Sequence, residues 1–178
     1  VPFDIETAAV SFHAQPPAGD SKKVEVVAAL IAYEILGRYE ASFRAAGFQP
    51  GYVTTSALAA LHLVKGEGLS LLAKLCGKAL TLLVLDGTRV KMTRCLELES
   101  LSEEAILEVL YPTLAYIEDT FKTGRSVRIW LCGFGAESAE LAHRWQAELK
   151  VPVEILQSRF GMPGGNNAGL LGYLEEAN

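Results

Sequence analysis

LSLLAKLCGKALTLLVLDGTRVKMTRCLEL, residues 69–98, alternates aliphatic runs with short turn signals. The aliphatic runs predict three strands, at Leu69–Leu75, Leu80–Leu85 and Arg89–Leu98. Asp86 and Gly87 join the second strand to the third, and an Asp-Gly pair favours a tight hairpin because both residues tolerate positive φ. The stretch therefore predicts an antiparallel meander whose first strand contains no acidic residue.

The residues after the meander change to helical spacing and then alternate strands with helices. Ser100 and Glu103 fit a capping box at the start of a helix, and Pro112 either kinks that helix or begins a second one. Further elements are predicted at Ser126–Cys132 (strand), Glu137–Leu149 (helix), Val153–Leu156 (strand) and Asn166–Glu176 (helix). The order β-β-β-α-β-α-β-α is typical of an α/β ribonuclease-H-like fold, a mixed sheet with helices on both faces.

The residues before the meander form a shorter series of elements. They predict strands at Thr7–Ala14 and Val24–Ala32 with a turn at residues 15–20, a helix at Tyr33–Ala46 ended by Gly47, a strand at Gly51–Thr54, and a helix at Ser56–Leu63 capped by Thr55 or Ser56. We therefore expect an incomplete front subdomain over residues 1–67 and a ribonuclease-H-like subdomain over residues 68–178. Because the chain begins at Val1 rather than at a methionine, we expect it to be a partial molecule.

Composition excludes several classes of function. The 178 residues include 16 Lys+Arg and 21 Asp+Glu, giving a net charge of −5, and no basic run is present. A dedicated nucleic-acid binder needs clustered cations, so we expect no nucleic-acid partner. No apolar run reaches the roughly 18 residues of a membrane span, so no direct membrane insertion is expected. Cys76, Cys95 and Cys132 are scattered in apolar stretches, which predicts buried, reduced thiols rather than disulfides.

The predicted fold has two familiar chemical uses. A two-metal nuclease needs converging carboxylates, one of them on the first strand, but that strand has no acid and Lys74 would repel a metal. Actin-like ATPases instead bring backbone amides and glycines close to phosphates and use an Asp to hold Mg²⁺ or a water. The sequence therefore argues against a nuclease.

Several segments, taken in order, resemble the C-terminal part of PilM, the cytoplasmic actin-like protein of type IV pilus assembly. Val1–Val10 resembles the family's strand that begins Ile-Pro-Tyr, and Val24–Ala32 followed by Arg44–Pro50 resembles its strand and the following helix end. Trp130–Ala136 resembles its adenosine-binding turn. The chain is more distantly similar to the cytoplasmic region of the GspL proteins of type II secretion and to FtsA.

The resemblance also identifies departures. Ala73, Leu75 and Ala79 stand near the positions where the family's second phosphate motif has Asp, Gly and Thr, so this motif is degenerate and no residue there holds Mg²⁺ or orients a water. By the resemblance, Gly133, Gly135 and Ala136 are the candidate cofactor-binding residues, although Phe134 replaces the middle glycine. A tight turn between a strand and a helix explains the same glycines without a ligand. We expect no catalytic residue and no metal site.

Other candidates have ordinary structural explanations beside the functional ones. Lys78 either contacts phosphate or is solvated, and Cys76 is either a nucleophile or a structural thiol. The hairpin turn accounts for Asp86. The histidines lack the spacing of a metal site; they are His13, His62 and His143. The glycine-rich loop Gln157–Asn167 is either a binding loop or a connection to the last helix.

The resemblance implies a non-catalytic, pseudo-ATPase scaffold of a type IV pilus or type II secretion-like platform. Such a scaffold binds the cytoplasmic tail of a PilN-like inner-membrane protein, together with other platform components. It lies in the cytoplasm, peripheral to the inner membrane through its partners, and needs no cofactor. The alternative is an ATP-binding actin-like ATPase or kinase-like enzyme that uses ATP and Mg²⁺, with catalytic acids supplied by a missing N-terminal part. A third is an unrelated binding module of the same architecture.

Overall fold

A computed structural model describes residues 4–15, 24–121 and 126–177. Val1–Phe3, which enter the family resemblance, lie outside the described residues, as does most of the predicted turn at 15–20. The chain divides into two compact units, Val1–Val53 and Thr54–Asn178, and each is described on its own. No helix within the described ranges combines the length and the apolar character needed to span a membrane.

The first unit consists of one hairpin and one helix. Strands β1 (Ala8–Ala14) and β2 (Val26–Ala32) pair antiparallel, and helix α1 spans Tyr33–Ala45. Strand β1 begins one residue later than predicted because Ile5–Thr7 form a 3-10 turn. Gly47 follows α1 with a φ of +84°, as the predicted helix end requires.

The predicted strand at Gly51–Thr54 is wrong. Residues 51–54 form no strand, and no described strand pairs with them. The backbone N–H of Leu58 instead donates to the Thr55 hydroxyl, so this segment leads into a helix cap.

One face of the β1–β2 hairpin is entirely apolar. Side chains alternate along a strand, so the cross-strand pairs on this face are Ala8–Ala32, Val10–Leu30, Phe12–Ala28 and Ala14–Val26. Three of its larger side chains are exposed to solvent: Val10 (49%), Phe12 (74%) and Val26 (50%). We call Val10, Phe12, Val26, Ala28 and Leu30 the hairpin face.

The second unit is built on one five-stranded sheet. Its strands are β3 (Leu69–Cys76), β4 (Ala79–Asp86), β5 (Arg89–Glu97), β6 (Arg128–Cys132) and β7 (Val153–Ile155), in the spatial order β5-β4-β3-β6-β7. The first three form the predicted antiparallel meander, and β6 and β7 extend it in parallel. Gly87 has a φ of +60° at the predicted hairpin, and Asp86 accepts a hydrogen bond from Arg89 at 3.0 Å. The predicted fold class is confirmed.

Helices cover both faces of this sheet, as the element order predicts. Helices α3 (Glu103–Phe121) and α4 (Ser138–Leu149) pack on one face, in a core that includes Leu110 and Trp145. Helices α2 (Ser56–Ala59, continued by a 3-10 turn) and α5 (Ala168–Glu176) pack on the other.

The observed division between the units differs from the predicted boundary at residues 67 and 68. Helix α2 and its 3-10 turn pack against α5, so residues 54–67 group with the second unit. An added Cβ at Gly172 would lie only 2.0 Å from the carbonyl oxygen of Ala59, so glycine is what allows this close approach.

The start of α3 departs from the predicted capping box. The Ser102 hydroxyl accepts from the backbone N–H of Ala105, and Ser100 accepts from Ser102. Ser102 is therefore the helix cap, and Glu103 forms a different set of bonds. Pro112 lies inside one continuous helix, so the alternative in which it begins a second helix is wrong.

Glu103 joins α3 to α4. Its carboxylate accepts from the Arg144 guanidinium at 2.9 Å and from the fully buried Trp145 Nε1 at 2.7 Å. The bond from Arg144, supported by the one from Trp145, lowers the pKa of Glu103. The ionised carboxylate is therefore the form that favours the folded state.

Two substitutions of Glu103 are expected to show how much the hydrogen-bond acceptor and the negative charge each contribute to stability. Glu103→Ala leaves Trp145 Nε1 buried without an acceptor and should lower the free energy of unfolding by about 2–3 kcal/mol at pH 7. Glu103→Gln retains an acceptor and should cost about 1 kcal/mol or less. Because folding lowers the pKa, the carboxylate's contribution is complete above the unfolded value of about 4.3 and is lost as the pH falls through the folded value.

Urea unfolding at several pH values measures both effects. The difference between the wild type and Glu103→Gln should shrink as the pH falls below about 4.3. A difference that stays constant down to acid pH, or equal losses for the two variants, would contradict this role of Glu103.

Candidate functional site

The carboxyl ends of β3 and β6 meet at one edge of the sheet because these strands are adjacent and parallel. We call Leu75–Lys78 and Cys132–Ala136 the carboxyl edge. In open α/β sheets this edge is the usual place for a ligand. The candidate residues Gly133, Gly135 and Ala136 all lie there, directly before α4.

Gly133 and Gly135 both have positive φ, at +85° and +82°, but their surroundings differ. An added Cβ at Gly133 would lie 2.0 Å from the Leu75 carbonyl oxygen and 3.0 Å from the Gly165 nitrogen. An added Cβ at Gly135 would meet no described atom within 4 Å. Close contacts with the chain's own backbone thus explain why position 133 requires a glycine. Of the two glycines, only Gly135 has open space in which a ligand could approach.

The turn also positions α4. Gly135 O accepts from the Ser138 hydroxyl and, at 3.3 Å, from its backbone N–H. Phe134, which replaces the family's middle glycine, packs edge-on against Trp145 with ring centroids 5.6 Å apart. These contacts give the turn a structural role without a ligand, which is the alternative that the sequence left open.

The glycine-rich loop lies across the carboxyl edge. Lys74 is only 2% exposed, and its ammonium donates to Gly165 O at 2.7 Å. Cys76 Sγ donates to the Asn166 side chain at 3.2 Å, and Asn167 Oδ1 accepts from the Gly164 N–H at 2.6 Å. Residues 164–167 are therefore bonded both to β3 and within the loop itself.

Lys74 has a role that its sequence context did not reveal. It was expected only to repel a metal, yet it anchors the loop. The available signal was a lone lysine in an otherwise apolar strand, because a buried ammonium needs a hydrogen-bond acceptor. The sequence did not indicate that this acceptor lies 91 residues away.

The positions that the resemblance aligns with a phosphate motif, Ala73, Leu75 and Ala79, offer no ligand for a magnesium-bound nucleotide. Ala73 and Leu75 belong to the hydrophobic core, and Ala79 is partly buried at the start of β4. Mg²⁺ requires oxygen ligands, and these side chains offer none. Gly165 fills the space beside Gly133 and Lys74 is bonded to its carbonyl oxygen, so these positions do not fit such a group, while Gly135 stays open.

Two of the remaining candidate residues, Lys78 and His62, have partners within the chain. The Lys78 ammonium donates to Glu99 O at 3.5 Å, and His62 lies 3.2 Å from the Glu176 carboxylate. Nowhere in the described ranges do three or more His, Cys, Asp or Glu side chains form a group able to hold a metal.

The expectation that all three thiols are buried is wrong. Cys95 is exposed on the edge strand β5, Cys76 is half-buried and only Cys132 is buried. Burial raises the pKa of Cys132 to about 11. This thiol is therefore protonated at neutral pH and is not an activated nucleophile.

The meander extended by parallel strands, with helices on both faces, gives the second unit a ribonuclease-H-like architecture, which actin-like ATPases share. The chain is similar to a solved structure of the PilM–PilN type IV pilus biogenesis complex, with 18% identity, a TM-score of 0.68, and coverage of 97% of this chain and 67% of that one. It is also similar to a Bacteroides thetaiotaomicron protein with an actin-like ATPase fold and unknown function (13% identity, TM-score 0.52).

The second comparison covers 93% of this chain and 59% of the other. At these identities the likeness is one of fold, and it confirms the predicted resemblance to PilM at that level. No protein-family model matches the chain, and no curated protein matches its sequence.

Proposed function

We propose that this chain is part of a non-catalytic actin-fold scaffold of a type IV pilus or related secretion platform. In this proposal it binds the cytoplasmic tail of a PilN-like membrane protein. The observation that carries the proposal is the likeness in fold, over 97% of the chain, to a protein whose solved structure is a complex with PilN. The scaffold would lie in the cytoplasm and reach the inner membrane and other platform components through protein partners.

The hairpin face supports a binding role. Exposed apolar side chains on a two-stranded sheet leave an unburied surface that a partner can cover. Burying one Phe side chain contributes about 1.5–3 kcal/mol, so Phe12 alone can supply a large part of a peptide's affinity. We assign the tail of the PilN-like protein to this face.

The carboxyl edge supports the absence of catalysis. Its degenerate motif offers no oxygen ligand for Mg²⁺, and the chain's own loop fills the space beside Gly133. In this proposal the scaffold needs neither ATP nor Mg²⁺ to bind its partner.

The second candidate function is an ATP-binding or kinase-like enzyme. It is favoured by Gly135, whose positive φ and open surroundings leave room for a ligand. In that case the metal ligands and catalytic acids would come from outside the residues described here.

A titration with a fluorescent N-terminal tail peptide of a PilN-like protein tests the scaffold. We expect saturable binding, and Phe12→Glu should weaken it about tenfold or more because it places a charge on the hairpin face. Phe48→Glu, at another exposed aromatic residue of the same unit, is the matched control and should leave the affinity within about twofold. Absence of binding, or equal losses for the two variants, would contradict the proposal.

A further inference from the structure

The second unit contains a groove along the outer edge of β7, separate from both the carboxyl edge and the hairpin face. It is open to solvent and has a volume of about 690 Å³. Its lining residues are Leu63, Lys65 and Gly66, Arg128 and Trp130 of β6, Ala139, Ala142, His143 and Gln146 of α4, and residues 153–155 and 157. We call it the β7 groove.

The backbone of β7 offers this groove an unoccupied strand edge. Within the described part of the chain, β7 pairs only with β6. The bonds from Ile129 N to Pro152 O and from Leu156 N to Leu131 O show that even-numbered residues of β7 face β6. The N–H and C=O groups of Val153 and Ile155 therefore point toward the groove, because these groups alternate along a strand.

The walls of the β7 groove leave room for an added strand. Ala139 and Ala142 line one wall, and their small side chains leave space between α4 and the strand edge. The Gln146 side chain reaches the edge and accepts from Val153 N at 3.4 Å, a long bond that an incoming carbonyl could replace. The opposite wall is formed by Leu63–Gly66 and by the β6 side chains on the other face of the sheet.

That opposite wall contains a donor without an acceptor. Trp130 is 6% exposed, and its Nε1 is buried with no hydrogen-bond partner among the described residues. The Arg128 guanidinium lies 5.8 Å from the centre of the indole ring and pairs with Glu154 at 3.2 Å. A buried donor left unpaired costs about 1–3 kcal/mol, which a ligand oxygen that reaches Nε1 would recover.

The charge of the lining complements an acidic ligand. Lys65 and Arg128 supply two cations, and Glu154, which pairs with Arg128, supplies one anion, so the lining carries a net charge of +1 in a chain whose net charge is −5. A strand added beside β7 would point alternate side chains at the two walls. Carboxylates would then face Lys65, Arg128 and Trp130, and apolar side chains would face Ala139 and Ala142.

We propose that the β7 groove binds an extended acidic segment of a partner protein, which adds to the sheet as a sixth strand beside β7. Main-chain hydrogen bonds to Ile155 supply affinity in this mode, and the side-chain alternation supplies specificity. The inference does not depend on the tail-binding role of the hairpin face.

NMR titration with an alternating Glu-Val peptide of about eight residues tests the proposal. The indole N–H signals of the two tryptophans are assigned with Trp130→Phe. We expect the Trp130 signal to shift and the Ile155 amide to become protected from exchange. A Lys-Val peptide of equal length should bind at least about tenfold more weakly.

Two alanines of α4 provide matched variants. Ala139→Trp fills the groove and should weaken the Glu-Val peptide about tenfold or more, whereas Ala147→Trp, at an exposed position outside the lining, should change its affinity less than about twofold. The proposal is overturned if the Trp130 signal does not move at about 1 mM peptide, if both peptides bind equally, or if both variants lose equally. A Trp130 shift that depends on protein concentration without peptide would also overturn it, since a second copy of the chain would then fill the groove.

Discussion

Replacing Gly133 by alanine is expected to lower the Tm of the second unit by roughly 10 °C or more. The new Cβ would lie 2.0 Å from the Leu75 carbonyl oxygen, so strand β3 or the turn must move. Overpacking of this kind costs about 1–3 kcal/mol, and a positive φ adds about 1–2 kcal/mol for a residue with a side chain. For a unit of this size each kcal/mol is worth about 4 °C.

Gly135→Ala is the matched control because its φ is nearly the same and its surroundings are open. It should lower the Tm by only about 4–8 °C, the cost of the backbone conformation alone. Thermal unfolding followed by circular dichroism compares the two variants. Equal losses in Tm would show that Gly133 has no close contacts within the chain. The space beside it would then be available to a ligand.

Gly172→Ala is the second substitution with a large expected effect. An added Cβ would lie 2.0 Å from the Ala59 carbonyl oxygen and 2.9 Å from Ala60 Cα, both of them backbone atoms that cannot rotate away. Alanine favours a helix over glycine by about 1 kcal/mol, which offsets part of the clash. We expect a net loss of about 1–2 kcal/mol, because the clash outweighs the gain in helix propensity and α5 must shift away from α2.

Gly37→Ala tests the same exchange in a helix without the close approach. Apart from the backbone of α1 itself, no described atom lies within 4 Å of the added Cβ. The higher helix propensity of alanine alone should therefore raise stability by about 0.5–1 kcal/mol. Chemical unfolding of the two variants shows whether each substitution raises or lowers the free energy of unfolding. A stabilised Gly172→Ala protein would contradict the tight packing of α5 on α2.

The architecture could be predicted because local signals agreed with the global order of elements. The Asp86-Gly87 pair fixed the hairpin, Gly47 ended α1 and Thr55 capped α2. Each of these signals depends on a few neighbouring residues, so each is visible in a single sequence. The meander followed by alternating helices and strands then restricted the sheet to one plausible topology.

The candidate site was less predictable because its contacts are distant in sequence. Lys74 bonds to Gly165, and Glu103 turns away from its own helix end to Arg144 and Trp145. Spacing rules describe one element at a time and do not report which loop folds over which strand. The nucleotide contact suggested for Gly133, Gly135 and Ala136 stays a prediction, and the structure gives Gly133 a packing role.

Thermal unfolding with and without ATP and Mg²⁺, on this chain and on any longer natural protein that contains it, tests most directly whether the scaffold works without a nucleotide. A ligand at about 100 times its Kd adds about 2.7 kcal/mol to stability. Because the chain's own loop lies across the carboxyl edge, we expect millimolar ATP with Mg²⁺ to leave the Tm unchanged relative to Mg²⁺ alone. A rise of several degrees that Gly135→Ala abolishes would contradict this expectation.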